Sequence, residues 1–129
     1  MSKIRDIKTI KVPKFSETNG SLFVLDNIKF NRFFAVKSDK NQKRGFHSHK
    51  VCSQLLFCSK GEVDVYCCDG FDEITFNLKE FNTAILIPPG IWSYQTYLKR
   101  NTILNVLCDF TFDENDYIRD FEEFKNSVI

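Results

Sequence analysis

The sequence holds two histidines, and both fall within Arg44-Gly45-Phe46-His47-Ser48-His49-Lys50. Residues two apart on a strand project from one face. His47 and His49 are therefore expected side by side, pointing into a barrel, with Phe46, Ser48 and Lys50 on the opposite face. Two neighbouring imidazoles have two chemical uses: as ligands of a metal ion, or as a proton-transfer pair near neutral pH. A lone histidine is most often an ordinary surface or core residue. The only two in a chain, at strand spacing and between two cations, weigh toward chemistry. The cysteines offer no second centre. Cys67 and Cys68 are adjacent and face opposite ways, no Cys-x-x-Cys occurs, and Cys52, Cys58 and Cys108 read as small buried hydrophobes.

Such a pair needs strands to hold it, and alternation with period two recurs along the chain. Phe30, Arg32, Phe34 and Val36 share one face, and Phe33 and Ala35 the other. Leu22–Leu25 and Cys52–Ser59 are apolar runs, the second ending at the Lys60-Gly61 turn. Val63, Val65 and Cys67 alternate with Glu62, Asp64 and Tyr66 before Asp69-Gly70, a strong turn signal. Ile74, Phe76 and Leu78 alternate next. Ala84–Ile87 stops at Pro88-Pro89-Gly90, and Ile91–Leu98 and Ile103–Phe110 complete the set. Many short strands punctuated by turns predict an all-β sandwich or barrel. Only the tail looks helical. Asp113 as N-cap, early acidic residues, and Tyr117, Ile118, Phe121 and Phe124 at helical spacing predict one helix over 114–126. The acidic residues Asp113, Glu114, Asp116, Asp120, Glu122 and Glu123 read as a solvated helix face.

At 129 residues the chain predicts a single domain. With 43% hydrophobic and 27% charged residues it is not a disordered chain. Fourteen phenylalanines against one Trp and four Tyr point to an aromatic core on β positions. Eighteen basic and 17 acidic side chains give a net charge of +1, which argues against nucleic-acid or membrane-surface binding. No apolar run approaches a membrane span, and the stretch from Met1 to Lys14 lacks the apolar centre of a signal peptide. Five cysteines, an odd number, fit reduced thiols in the cytoplasm.

The frame His47-x-His49, Gln54, Gly61, then Pro88-Pro89-Gly90 and Trp92-Ser93 resembles the two motifs of the cupin superfamily. Metal-binding cupins carry a Glu where Gln54 stands and a third His where Ser93 stands. An amide and a hydroxyl are much weaker ligands than carboxylate and imidazole, so no metal and no cofactor is expected. A narrower match adds the Arg44–Lys50 segment, Ile87–Trp92, and Asp116-Tyr117-Ile118-Arg119-Asp120-Phe121-Glu122-Glu123-Phe124. Together these resemble the sugar 3,4-ketoisomerases, metal-free cupins acting on dTDP-4-keto-6-deoxyglucose, from about Gly20 to Phe124. The chain departs from that family at Ser93, where many members carry His, at Phe33 and Phe34, where many carry Tyr, and at Asn19, where Arg is usual.

The resemblance implies a cupin jelly-roll barrel with one C-terminal helix spanning residues 1–129. It also implies a homodimer with N-terminal strands open to exchange, and a pathway to 3-amino-3,6-dideoxy sugars. The reaction it implies removes the C3 proton next to the C4 ketone, forms an enediol, and returns a proton to C4. Imidazoles suit that chemistry. Two close histidines are not both charged cheaply, so one neutral base beside one protonated partner is the natural resting state. His47 is assigned as base and His49 as proton donor or carbonyl-polarising group; the sequence leaves the reverse open. Arg44, Lys50 and Arg32 are candidates for the substrate's diphosphate. Ser93, Gln95 and Tyr97 share the face that points inward in the family and are pocket candidates, while Trp92 and Tyr94 read as packing. The alternatives are a 3,5-epimerase-like enzyme on a dTDP-sugar and a non-catalytic sugar-nucleotide-binding module. The configuration of the product at C4 stays open.

Overall fold

Strand alternation sets the architecture in the computed structural model, which describes residues 2–129; of the Met1 to Lys14 stretch, Met1 lies outside the described residues. The strands are β1 (Lys8–Lys11), β2 (Lys14–Glu17), β3 (Gly20–Phe23), β4 (Arg32–Ser38), β5 (Lys43–His49), β6 (Gln54–Lys60), β7 (Glu62–Cys68), β8 (Glu73–Lys79), β9 (Thr83–Ile87), β10 (Trp92–Tyr97), β11 (Thr102–Cys108) and β12 (Tyr117–Ile118). One α-helix, α1 (Phe121–Ser127), follows. Two antiparallel five-stranded sheets, ordered β1-β9-β6-β11-β4 and β12-β5-β10-β7-β8, form the jelly roll, and β2 and β3 make a separate hairpin.

The inward face of each strand feeds one core. Leu56 and Cys58, Val63, Val65 and Cys67, Ile85 and Ile87, and Leu104 and Val106 meet between the sheets. Cys67 is in this core while its neighbour Cys68 joins Trp92, Ile118, Phe124 and Val128 on the outside of the second sheet, where α1 packs. The outer face of the first sheet is apolar as well: Leu55, Phe57, Leu86 and Leu107 cluster there with Val12, Ile10 and residues of the 24–28 connection.

The tail differs from its expected form. In place of one helix over 114–126, a 3-10 turn at Glu114–Asp116 leads into β12, and α1 begins only at Phe121. Asp113 does cap, accepting from Asn115 N, but it caps the 3-10 turn. Tyr117 and Ile118 give their backbone to the ladder with β5, opposite His49 and Ser48. Asp120 then starts the helix afresh, accepting from Glu123 N at 3.2 Å. The helical spacing of the apolar residues was real, but pairing to an open sheet edge satisfies the backbone of residues 117–118 instead.

Candidate active site

The site begins with an irregularity in β5. In the pairing with β10, Ser93 faces His47 but Tyr94 faces Gly45, so Phe46 is an extra residue in a β-bulge. Gly45 has φ +103° and Phe46 φ +59°. The bulge re-phases the strand. Arg44, three residues before His47 and thus of opposite parity, lands opposite inward-facing Gln95. Phe46 stays outside, stacked on Tyr94 at 4.8 Å, which in turn stacks on Tyr66.

His47 reaches a cavity of about 470 Å³ between the sheets, lined by Arg32, Arg44, Gln54, Gln95, Tyr117 and Arg119 among others. Among the described residues no carboxylate lines it; Arg119 is paired with Glu114 just outside, and the guanidiniums of Arg32 and Arg44 leave the cavity favouring an anionic ligand. Burial, reinforced by the neighbouring His49, lowers His47 from 6.5 to about 4. Its imidazole is neutral at pH 7, as a general base must be.

His49 lies one layer deeper, its ring edge-on to His47 with centroids 4.9 Å apart. Its Nδ1 is 2.9 Å from Asp116 Oδ2. Asp116 also accepts from the backbone N–H groups of Val51 (2.6 Å) and Cys52 (3.3 Å). Burial alone would raise this carboxyl, but the hydrogen bonds outweigh it and hold Asp116 below the ordinary carboxylate range. An ionised Asp116 takes a hydrogen from His49 Nδ1, which fixes the tautomer and leaves Nε2 bare. His49 is itself lowered by burial, against the pull of Asp116, and its Nε2 finds no hydrogen-bond partner among the described residues. The backbone around it is pinned: Gly90 N donates to His49 O at 2.8 Å, and Lys50 N to Asp116 O at 2.9 Å.

Tyr117 covers both imidazoles, with centroids 4.3 Å from His49 and 5.1 Å from His47. Its hydroxyl accepts from Arg32 Nη1 at 3.3 Å. The Arg119 guanidinium lies over the Tyr117 ring, 4.2 Å from its centroid, and donates through two nitrogens to the Glu114 carboxylate at 2.7 and 3.0 Å.

Of the expected site residues, Arg32, Arg44, His47 and Gln95 meet at the cavity and His49 stands behind it. Lys50 does not join them. It lines a separate, larger depression of about 620 Å³ with Ser48, His49, Pro89 and Gly90. Ser93 is buried opposite His47 but is not among the lining residues, and Tyr97 sits wholly in the core, where burial pushes its phenol up to about 12. Asp116, Tyr117 and Arg119 were missed as functional residues: Asp116 was read as solvated, yet it is 5% exposed. Their signal is their place in the Asp116–Phe124 motif, which carries the family resemblance but to which the sequence reading gives no site residue.

At the metal-ligand positions of the cupin frame, Gln54 points its amide at Cys108 Sγ (3.5 Å) and Ser93 is buried. His49, Cys52 and Asp116 do gather one ligand atom each within 4.8 Å of one another. They fit a metal poorly: the carboxylate is already engaged by three N–H groups, and the interaction with the Cys108 sulfur, with burial second, pushes the Cys52 thiol well up, away from the thiolate a metal needs.

Residues 5–129 match the family described as FdtA: WxcM-like, C-terminal. The chain is 30% identical to the TDP-4-oxo-6-deoxy-alpha-D-glucose-3,4-oxoisomerase of Aneurinibacillus thermoaerophilus, over 94% of this chain and 91% of that one. A 3,4-ketoisomerase from Helicobacter canadensis superposes with a TM-score of 0.89 at 27% identity, covering 95% of this chain and 97% of that one. The WlaRB TDP-quinovose 3,4-ketoisomerase of Campylobacter jejuni gives 0.88 at 26%, covering 95% and 99%.

Proposed function

Because this chain belongs to the FdtA, WxcM-like C-terminal family, whose relatives named above are sugar 3,4-ketoisomerases, we propose that it moves the keto group of dTDP-4-keto-6-deoxyglucose from C4 to C3. The observation that carries this reading is a neutral imidazole, His47, in a cavity walled by Arg32, Arg44 and Arg119. His47 takes the C3 proton, acidified by the adjacent carbonyl, and returns a proton to C4 through one enediol. The guanidiniums hold the diphosphate, where bidentate geometry favours arginine. The His49–Asp116 pair buttresses His47 from behind. Residues 1–129 act as one cupin-like domain without a metal or cofactor.

The enzyme works as a homodimer in the cytoplasm. Supporting the dimer, the outer face of the first sheet is apolar and β4 has a free edge beyond β11 among the described residues. Supporting the compartment, all five cysteines are free thiols. Among the described residues no helix is long and apolar enough to cross a membrane.

The test is product NMR after incubation with dTDP-4-keto-6-deoxyglucose in D₂O, with and without prior dialysis against a chelator. The ketone should move to C3, solvent deuterium should enter at C4, and chelation should not matter. A ketone still at C4 with deuterium at C3 and C5 would replace the isomerase with a 3,5-epimerase. Saturable binding without turnover would mean a binding module. Activity lost to the chelator and restored by one ion would overturn the metal-free reading.

A further inference from the structure

We propose that Tyr117 is a catalytic residue of this reaction, the acid–base group that serves the sugar oxygens while His47 serves the carbons. The inference rests on the ketoisomerase reading above. Moving a ketone along one bond requires two proton transfers at carbon and two at oxygen. A single base accounts for the first two and leaves the oxygens without a partner. The C4 oxygen must gain a proton as C3 loses one, or charge accumulates on the enediolate.

Hydrogen-bond bookkeeping identifies the donor. His49 is the nearest alternative, but its Nδ1–H is spent on Asp116 and its Nε2 carries no hydrogen and is buried. Gln54 points its amide nitrogen at Cys108 Sγ. Arginine only donates, so in the 3.3 Å contact with Arg32 the Tyr117 oxygen is the acceptor. Its own O–H is left over for whatever enters the cavity that Tyr117 lines together with His47. The ring packs edge-on to His47 and tilted against His49, with centroids 5.1 and 4.3 Å away, which sets the phenol beside the base, and Arg32 is placed to stabilise a phenolate.

The steps balance. In the first half, His47 removes the C3 proton as the C4 carbonyl oxygen takes the phenolic proton of Tyr117. This gives a neutral enediol with hydroxyls on C3 and C4, an imidazolium and a phenolate. In the second half, the C3 hydroxyl gives its proton to the phenolate and becomes the ketone, while the imidazolium protonates C4. Both residues return to their starting states, and no electrons enter or leave.

The experiment compares the wild-type protein with Tyr117→Phe, which keeps the ring packed on the imidazoles and removes the O–H. The variant should keep its melting temperature and its KM within a few-fold, and lose at least ~10²-fold in kcat, the low end for an acid–base group. Substrate deuterated at C3 should show a larger isotope effect on kcat in the variant, because C–H cleavage without protonation of the oxygen becomes the slow step. A purely structural role would lower the melting temperature or raise KM and leave the isotope effect alone. Wild-type kcat in Tyr117→Phe would overturn the assignment and leave the isomerase reading intact. A wild-type protein that fails to convert the keto sugar would remove both. If Tyr117→Phe does not fold, the position is structural; a folded Tyr117→Leu that retains kcat would overturn the proposal equally.

Discussion

His47 owes its basicity to what surrounds it. Burial comes first and the adjacent His49 second, and together they bring its titration down to about 4. In the free enzyme the acid limb of kcat/KM should therefore fall near pH 4 and not near 6.5, as a pH–rate profile will show. The same shift links to stability. A histidine whose folded value lies below its unfolded value binds more protons when unfolded, so stability is complete above about 6.5 and drains away as pH falls toward 4. The span from 6.5 to about 4 corresponds to roughly 3 kcal/mol. Melting temperatures between pH 7 and 4.5 should fall more steeply for the wild type than for His47→Asn, which has no imidazole to titrate there. His47→Asn should also lose at least ~10²-fold in kcat while remaining folded. A variant with near wild-type turnover would remove His47 from the mechanism.

At the scale of elements, the bulge in β5 decides which side chains meet. Gly45 is the position where a side chain cannot be tolerated: its φ is +103°, and an added Cβ would stand 2.9 Å from Gln95 Oε1 and 3.1 Å from Tyr94 Cα. Gly45→Ala should cost about 1–3 kcal/mol and depress kcat more than its stability loss alone explains, since it displaces the bulge that aims Arg44 and His47. Unchanged turnover in a folded Gly45→Ala protein would show that the bulge does not tune the site. The strands β6 to β11 were legible because Val63, Val65 and Cys67, or Leu104, Val106 and Cys108, alternate cleanly into one core. The His pair was legible by spacing. The bulge was not, because Gly45-Phe46 reads as two more steps of the same alternation, and only the facing strand reveals the extra residue. Asp116 escaped notice because its acceptors are filled by groups more than sixty residues away in sequence. The N-terminal strand β1 escaped too, since Lys8 and Lys11 are exposed and only backbone pairing to β9 gives it away.

For the whole molecule, the hairpin of β2 and β3 is the element that a single chain leaves unexplained. Phe15 and Leu22 pair across it, 61% and 60% exposed, and Phe30 and Phe33 are each 53% exposed. Apolar area of this kind on a two-stranded ribbon calls for a partner surface. Light scattering should give about twice the mass of one chain, and Phe15→Asp with Leu22→Asp should shift that species toward monomer with the barrel intact; a wild-type monomer at micromolar concentration would contradict the dimer. The cavity, too, is assembled from distant parts of the chain. Arg32, Arg44 and His47 are contributed early, while Tyr117 and Arg119, with Asp116 behind them on His49, follow the last long strand. On the ribosome, the histidines thus emerge long before the carboxylate that orients one and the phenol that covers both. With the roles proposed for Tyr117 and for the His49–Asp116 pair, a nascent chain carries no working site until the segment beyond Asp113 has been made, so a premature stop anywhere in the barrel should yield not a weakened catalyst but an inert one.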